Sequence, residues 1–300
     1  MIRYFKHIIQ GLGILLVYGG AALVYASEAS EVSEETLIPQ EQLVYITTDA
    51  GLVIIQLTDS VAPNNTQRFR DLVQEGFYDG LDFYRVIDGF VAQAGDLAET
   101  KQSAFKSPVN AEFSRSHSKN LLAFEVVQSP EFLAQATGFI DGFPAGLNVN
   151  DNRQWLLHCP GAVAMARSNA ADSATTEFYI VLGQAPRHLD RNMSIIGQVV
   201  YGMQVAQRFH RGDGAKNGGV IDDPAQRTRI LSARMGNAVP AHKQLQLWRQ
   251  NTQSSAFQQR LTNARNLTNP FYHYQGSGNL DVCYYRPSIR VAEHGASDAE

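Results

Sequence analysis

Alternating apolar and polar positions predict strands over much of the middle of the chain. LVYITTDAGLVIIQL (43–57) predicts two strands joined at an Asp-Ala-Gly turn, and FYRVIDGFVAQAGD (83–96) predicts two more around a turn at Asp88-Gly89. Further strand-like segments are GAVAMAR, EFYIVLG, SIIGQVV and RTRILSARM, at 161–167, 177–183, 194–200 and 227–235.

Two segments have helical spacing instead. In APNNTQRFRDLVQEG (62–76), Asn65 is a suitable N-cap and Gly76 can end the helix. VYGMQVAQRF (200–209) predicts a second helix with an apolar inner side. Many strands and two helices without βαβ alternation favour an antiparallel barrel or sandwich over a doubly wound sheet.

The two flanks of this region and one internal segment differ from it in composition and in hydrophobic periodicity. Residues 27–42 are acidic and Ser-rich and predict a flexible linker, whereas 97–155 predicts a long excursion with little periodicity. Residues 236–300 form a C-terminal extension. Within it, 241–266 predicts a helix, followed by aromatic-rich irregular chain and a disordered tail over 292–300.

The 83–96 hairpin raises a question about its polar side chains. Alternation places Phe83, Arg85 and Ile87 on one strand face. The simplest interpretation is that Arg85 lies along the sheet and extends its guanidinium into water. Phe90 and Gln93 are three positions apart, so plain alternation places them on opposite faces. A bulge or a twist of the strand between these two residues would be needed for both to line one site.

The N-terminus predicts export. Arg3 and Lys6 precede an apolar run that ends in Val24-Tyr25-Ala26, so residues 1–26 are expected to be a secretory signal. The run is also close to spanning length, which makes an uncleaved anchor the alternative. Only an anchor would place the chain at a membrane. Either way the mature domain is expected to be exported, to a periplasm.

Composition narrows the classes of function. Three hundred residues, of which 44% are hydrophobic, allow one large domain or two small ones with a sizeable core. A formal net charge of -4 gives no electrostatic case for binding nucleic acid. Cys159 and Cys283 fit no metal-ligand spacing. Export permits a disulfide between them, and two buried free thiols are the alternative.

Three segments stand in order along the chain: NNTQRFRDLVQEGFYDGLDFYRVIDGFVAQAGD, GAVAMARSNAADSATTEFYIVLG and HLDRNMSIIGQVVYGMQVAQRF. Their residues and their order resemble the cyclophilins, which are peptidyl-prolyl isomerases. The resemblance covers residues 43–235, with 97–155 as an insert, and is closer to the bacterial branch than to eukaryotic cytosolic members. It implies a mainly β fold, a closed eight-stranded antiparallel barrel capped by two helices.

The resemblance also implies a site. Arg85 corresponds to the family's main catalytic group, and Phe90 and Gln93 to the catalytic residues after the turn. The positions expected to bind substrate are Val91, Ala166, Arg167, Glu177, Tyr179 and Leu189.

Three positions depart from the family's pattern. Glu177 stands where glutamine is common, His188 where a large aromatic is common, and Met193 where histidine or tyrosine is often found. A carboxylate at position 177 could tie up the Arg85 guanidinium. The other two changes are expected to shift substrate preference.

Two functions are compatible with these residues. One is a peptidyl-prolyl isomerase that assists the folding of exported proteins by turning Xaa-Pro bonds. The alternative is a catalytically weak proline-binding or chaperone module that uses the same pocket. A contact between Glu177 and Arg85 would favour the second. Both act on proline-containing unfolded or flexible polypeptides and require no metal or other cofactor, and a monomer is the default expectation.

Overall fold

The structure is a computed structural model that describes residues 32–116 and 124–292. The predicted signal segment and the last eight residues of the predicted tail, 293–300, lie outside the described residues. None of the helices in the described part of the chain is long and apolar enough to cross a membrane.

The described residues form sixteen strands and three α-helices. The strands are β1 (Glu35–Leu37), β2 (Leu43–Thr48), β3 (Gly51–Leu57), β4 (Asp82–Val86), β5 (Val91–Gly95), β6 (Arg115–Ser116), β7 (Glu125–Gln128), β8 (Ala136–Ile140), β9 (Phe143–Asn148), β10 (Arg153–Leu156), β11 (Ala162–Met165), β12 (Phe178–Val181), β13 (Ile195–Tyr201), β14 (Thr228–Met235), β15 (Leu247–Gln250) and β16 (Ile289–Val291). The helices are α1 (Pro63–Glu75), α2 (Met203–Ala206) and α3 (Ser255–Asn266).

Eight strands close into an antiparallel barrel in the order β11-β12-β5-β4-β14-β2-β3-β13, which confirms the predicted fold. The predicted 43–57 hairpin is present, with Leu43 opposite Gln56 and Thr48 opposite Gly51. Side chains from both of the first two helices join the barrel core, including Phe69 of α1. The core is therefore sealed by helices that lie close to their strands in the sequence.

The ends of these two helices differ in part from the prediction. Gly76 ends α1 in a left-handed conformation, with φ of 73°, as expected. Asn65 is not the N-cap, because the helix begins at Pro63, whose ring fixes a helical φ at the first turn. The second helix spans four residues and begins only at Met203, because the chain before it, up to Tyr201, remains paired in the barrel ladder with Ile54.

The 97–155 insert is more ordered than its sequence predicts. From Arg115 onward, its described residues supply the strands of a five-stranded sheet in the order β6-β10-β9-β8-β7. One face of this sheet, which includes Ile140 and Leu156, packs on the outside of the barrel. The other face, which includes Phe139 and Trp155, packs on α3. Strands covered on both faces are apolar at successive positions, and this removed the alternation that would have predicted them.

The predicted linker is also ordered where the structure describes it. Glu35 pairs with Gln250 across β1 and β15, and β16 completes a three-stranded sheet. An ion pair between Glu35 of β1 and Arg290 of β16 joins the two outer strands of this sheet. Backbone pairing with the C-terminal extension orders this segment despite its acidic composition. The local sequence does not indicate this pairing, because the partner strand is about 200 residues away.

The predicted helix over 241–266 is wrong in its first half. Leu247–Gln250 form β15, and only Ser255–Asn266 are helical. The helix begins where the Ser254 hydroxyl caps it by accepting a hydrogen bond from the Phe257 N–H at 3.3 Å. The predicted strand over 227–235 is confirmed as β14, which is the last strand of the barrel.

Cys159 and Cys283 form a disulfide, which decides between the two alternatives left open by the sequence. Cys159 lies between the insert and β11, and Cys283 lies in the C-terminal extension. Both are buried in the cluster that contains Trp155 and Phe257. The disulfide therefore links the C-terminal extension covalently to the segment that immediately precedes β11.

Removal of this disulfide is expected to destabilise the fold. In a Cys159→Ser/Cys283→Ser variant, the unfolded chain gains the freedom of a loop that spans 124 residues, and the expected loss is about 2–5 kcal/mol. Urea unfolding at equilibrium measures it. Reducing agent should lower the midpoint of the wild-type protein and leave that of the variant unchanged. Equal midpoints for the two proteins under oxidising conditions would contradict the prediction.

Candidate active site

A bulge in β4 determines where Arg85 points. Asp82 lies opposite Gly95 and Arg85 lies opposite Gln93, so three steps along β4 match two along β5. The extra residue breaks the alternation that placed Phe83 and Arg85 on one face. Phe83 is fully buried in the barrel core, whereas Arg85 lies half-buried beside Gln93 on the outer face.

No bulge occurs between Phe90 and Gln93 in this described hairpin, although plain alternation required a bulge or twist there for both to line one site. β5 pairs with β12 without a register shift, with Val91 opposite Val181 and Gln93 opposite Tyr179. Val91 and Gln93 therefore share the outer face by plain alternation. Phe90 precedes the strand and enters from the turn, so the period of the strand does not govern its direction.

The Arg85 guanidinium is held by neutral acceptors. Its Nε donates a hydrogen bond to the Gly218 carbonyl at 2.8 Å, and its Nη1 donates to Gln93 Oε1 at 3.2 Å. Its central carbon lies 6.0 Å from the centroid of the Phe90 ring. The structure thus brings together the three residues predicted to be catalytic.

Glu177 does not pair with Arg85. Its Oε2 accepts a hydrogen bond at 2.6 Å from the hydroxyl of Tyr84, and that hydroxyl accepts one at 2.5 Å from Gln93 Nε2. Burial raises the pKa of the Glu177 carboxyl to about 7. Among the described residues, no acidic side chain forms an ion pair with Arg85. The contact between Glu177 and Arg85 that would have favoured the weak-binding alternative is therefore absent from the described residues.

An apolar surface lies next to the guanidinium. Phe90, Leu189 and Met193 are partly buried and pack on one cluster, whose buried members include Val91, Ala166 and Tyr179. The His188 ring lies parallel to the Phe90 ring, with centroids 5.9 Å apart. The same cluster contains Ile140 of β8 and Leu156 of β10, so the surface predicted to hold proline is backed by the five-stranded sheet.

A buried polar network supports Tyr179, and the sequence analysis missed it. The Tyr179 hydroxyl lies 2.9 Å from Nε2 of His158, whose Nδ1 lies 3.0 Å from Oδ1 of Asp190. The other Asp190 oxygen accepts a hydrogen bond from Arg187 at 2.6 Å. His158 lies outside the three family-like segments, and no spacing in the sequence links it to Tyr179.

Arg167 has a different environment from Arg85. Its guanidinium donates to the backbone carbonyls of Asn192, Ser168 and Asn169, at 3.0, 2.8 and 3.3 Å. Its side chain therefore braces a loop. The preceding Ala166 donates its N–H to the Glu177 carbonyl at 2.8 Å, which fixes the backbone beside the apolar surface.

Comparison with known proteins identifies the family. The family described as cyclophilin type peptidyl-prolyl cis-trans isomerase/CLD matches residues 43–235. This chain therefore belongs to the cyclophilin-type peptidyl-prolyl cis-trans isomerases, and its activity is the isomerisation of peptidyl-prolyl bonds.

Individual relatives agree with this assignment. Peptidyl-prolyl cis-trans isomerase A of Dickeya dadantii is 28% identical over 199 residues, which cover 64% of this chain and 83% of the relative. A probable peptidyl-prolyl cis-trans isomerase of Brucella suis is 28% identical over 67% of this chain and 87% of its own length. The crystal structure of cyclophilin AquaCyp293 from Hirschia baltica superposes with a TM-score of 0.69, at 25% identity, over 86% of this chain and 94% of that one.

The buried network predicts a stability effect at Tyr179. In Tyr179→Phe, the fully buried His158 ring loses its hydroxyl partner, and the free energy of unfolding is expected to fall by about 1–3 kcal/mol. Urea unfolding measures the loss. Tyr272→Phe is the matched control, because Tyr272 is exposed and its change should stay within about 0.5 kcal/mol. The same small effect at Tyr179 would show that the contact with His158 contributes little.

Proposed function

We propose that Arg85 is the principal catalytic group and that Phe90, Leu189 and Met193 hold the proline ring. The observation that carries this proposal is the environment of Arg85. Its guanidinium is held in place by the Gln93 amide and a backbone carbonyl, beside an aromatic ring and without an acidic ion-pair partner among the described residues. The cationic charge thus remains uncompensated at the edge of an apolar surface.

The chemistry of the reaction explains why such a group is useful. Rotation about a peptide bond has a barrier of about 18–20 kcal/mol because the nitrogen shares its lone pair with the carbonyl. In the twisted transition state the prolyl nitrogen regains this lone pair and becomes a hydrogen-bond acceptor. A guanidinium donor aimed at that nitrogen binds the twisted amide better than either planar isomer.

The apolar surface supplies the second requirement. The proline ring must stay in place while the preceding carbonyl turns, and a ring seated against Phe90 and Leu189 would be anchored in this way. A fall of about 6 kcal/mol in the barrier gives roughly a 10⁴-fold acceleration, which a few directed hydrogen bonds and a fitted pocket can supply. Bond rotation itself makes and breaks no covalent bond.

The substrates that we propose are unfolded or flexible exported polypeptides that contain proline, with the mature protein acting in a periplasm. The N-terminal segment 1–26 has the charge and apolar pattern of a secretory signal. The Cys159–Cys283 disulfide supports the same location, because such bonds persist in oxidising compartments.

Substitution of Arg85 tests the catalytic proposal. In Arg85→Ala, kcat/KM for cis–trans exchange of a proline-containing peptide is expected to fall by about 10²-fold or more, because the donor to the twisted amide is removed. Arg85→Lys keeps the charge but lacks the planar guanidinium, so its kcat/KM should lie between the values of the wild-type protein and Arg85→Ala. Exchange spectroscopy by NMR measures both. Activity of Arg85→Ala within threefold of the wild-type value would exclude Arg85 as the principal group.

Expression of the full chain in a bacterial host tests export. The protein is expected in the periplasmic fraction, with Ser27 as its first residue by N-terminal sequencing. A full-length product in the membrane fraction would favour the uncleaved anchor. A full-length product confined to the cytosol would contradict export.

A further inference from the structure

Four side chains form a chain of hydrogen bonds with one direction. Arg85 Nη1 donates to Gln93 Oε1, Gln93 Nε2 donates to the Tyr84 hydroxyl oxygen, and that hydroxyl donates to Glu177 Oε2. The three distances are 3.2, 2.5 and 2.6 Å. The chain begins at a cation and ends at a carboxyl group, and Glu177 is linked to the guanidinium through Tyr84 and Gln93 without an ion pair between them.

We propose that Glu177 and Tyr84 are positioning residues for the isomerase reaction, and that the Glu177 carboxylate sets the direction of this hydrogen-bond relay. The proposal rests on the role of Arg85 given above. It assigns to Glu177 a function other than the expected substrate contact, and it adds Tyr84, which the sequence analysis did not select.

The direction of the relay follows from what each group can donate. An ionised carboxylate only accepts, so the Tyr84 hydroxyl must donate to it and can accept only from Gln93. Gln93 therefore turns its amide nitrogen towards Tyr84 and its carbonyl oxygen towards Arg85. Burial and the nearby Glu177 charge raise the pKa of Tyr84, so its hydroxyl remains a donor at neutral pH.

A neutral Glu177 would remove this constraint. A protonated carboxyl can itself donate to the Tyr84 oxygen, which leaves the hydroxyl proton to be donated to Gln93. The amide would then present its carbonyl oxygen to Tyr84 and its NH2 group to Arg85. Two donors would face each other, and the guanidinium would lose one of the acceptors that hold it.

The site around Glu177 is built to accommodate a buried carboxyl. Gly95 lies against it, and a Cβ at this position would overlap the carboxyl group. The titratable or charged groups that face Glu177 are Tyr84 from β4, Asp96 after β5 and the buried Tyr78 after α1, together with Glu99 and Lys106 from the rim of a cavity of about 230 Å³.

These surroundings make the relay responsive near neutral pH. Burial is the main cause of the raised pKa of Glu177, and the Asp96 carboxylate adds to it. The value of about 7 means that acidification through neutrality protonates Glu177. Since the isomerisation transfers no proton, a pH dependence of kcat in this range would come from the enzyme and not from the chemistry.

The test compares kcat and KM of the wild-type protein, Glu177→Gln, Tyr84→Phe and the double variant between pH 5.5 and 8.5. Wild-type kcat is expected to rise with pH through about 7, and this rise should be lost in both single variants. At pH 8, Tyr84→Phe should lower kcat by about fivefold to tenfold with KM within twofold, the effect of one lost hydrogen bond. The double variant should have the same kcat as Tyr84→Phe, because the two residues act in series and loss of either one breaks the relay.

Matched controls separate positioning from general stability. Tyr45→Phe removes a partly buried hydroxyl that bonds to Gln40, on the side of the barrel facing the C-terminal extension. Glu125→Gln neutralises a half-buried carboxylate in the insert sheet. Both controls should retain the wild-type kcat and its pH profile. His188 is present in all of these proteins, so the difference between the wild-type and Glu177→Gln profiles isolates Glu177.

Two results would overturn the proposal. One is a pH profile of Glu177→Gln parallel to that of the wild-type protein, and the other is a kcat of Tyr84→Phe within twofold of the wild-type value at pH 8. Either result leaves the catalytic role of Arg85 intact, because that role is tested separately by Arg85→Ala. Failure of Arg85→Ala to lose activity would instead remove the basis of both proposals.

Discussion

Closure of the barrel is the constraint on which the rest of the structure depends. β11 pairs with β12 on one side and with β13 on the other, so the ladder has no free edge. Additional chain can therefore attach only through side chains on the outer face or at the ends of the barrel. The five-stranded sheet does so through Ile140, Phe143 and Leu156, which pack in the same outer cluster as Tyr179.

Because of this arrangement, the additions to the barrel also support the pocket. Leu189 and His188 lie on a short 3₁₀ turn, Ala185–Leu189. Arg187 of that turn pairs with Glu131 of the insert at 3.6 Å, and it lies 4.0 Å from the sulfur of Cys283. Gln184, just before the turn, donates to Asp281 at 2.9 Å. The wall of the proposed proline pocket is thus held by residues from outside the barrel.

Two buried polar networks flank the site and act on different parts of it. The network of Arg187, Asp190 and His158 ends at Tyr179 and orders the apolar side. The relay through Tyr84 and Gln93 ends at Arg85 and orders the cationic side. In both networks the carboxyl group bonds to other side chains and forms no ion pair with Arg85, which keeps the guanidinium charge available. A buried carboxylate in direct contact with Arg85 would instead neutralise it.

The sequence alone was sufficient for the barrel hairpins, for the glycine that ends α1, and for the expectation that Arg85, Phe90 and Gln93 lie together. These features depend on local alternation and on residues close together in the chain, or on segments specific enough to indicate the family. The strands of the insert escaped prediction because burial on both faces erases the period of two. The strand at Glu35 escaped it because its partner, Gln250, lies at the other end of the chain.

Only the tertiary structure decided how the site is oriented. One extra residue in β4 reverses the face on which Arg85 lies, and a bulge of this kind depends on the partner strand and not on the local pattern. The partner of Glu177 was open in the same way, because a buried carboxyl pairs with whichever donor the packing brings near. The fold supplied Tyr84 from β4, which is separated from β12 by β5 in the barrel, and no spacing along the chain encodes that contact.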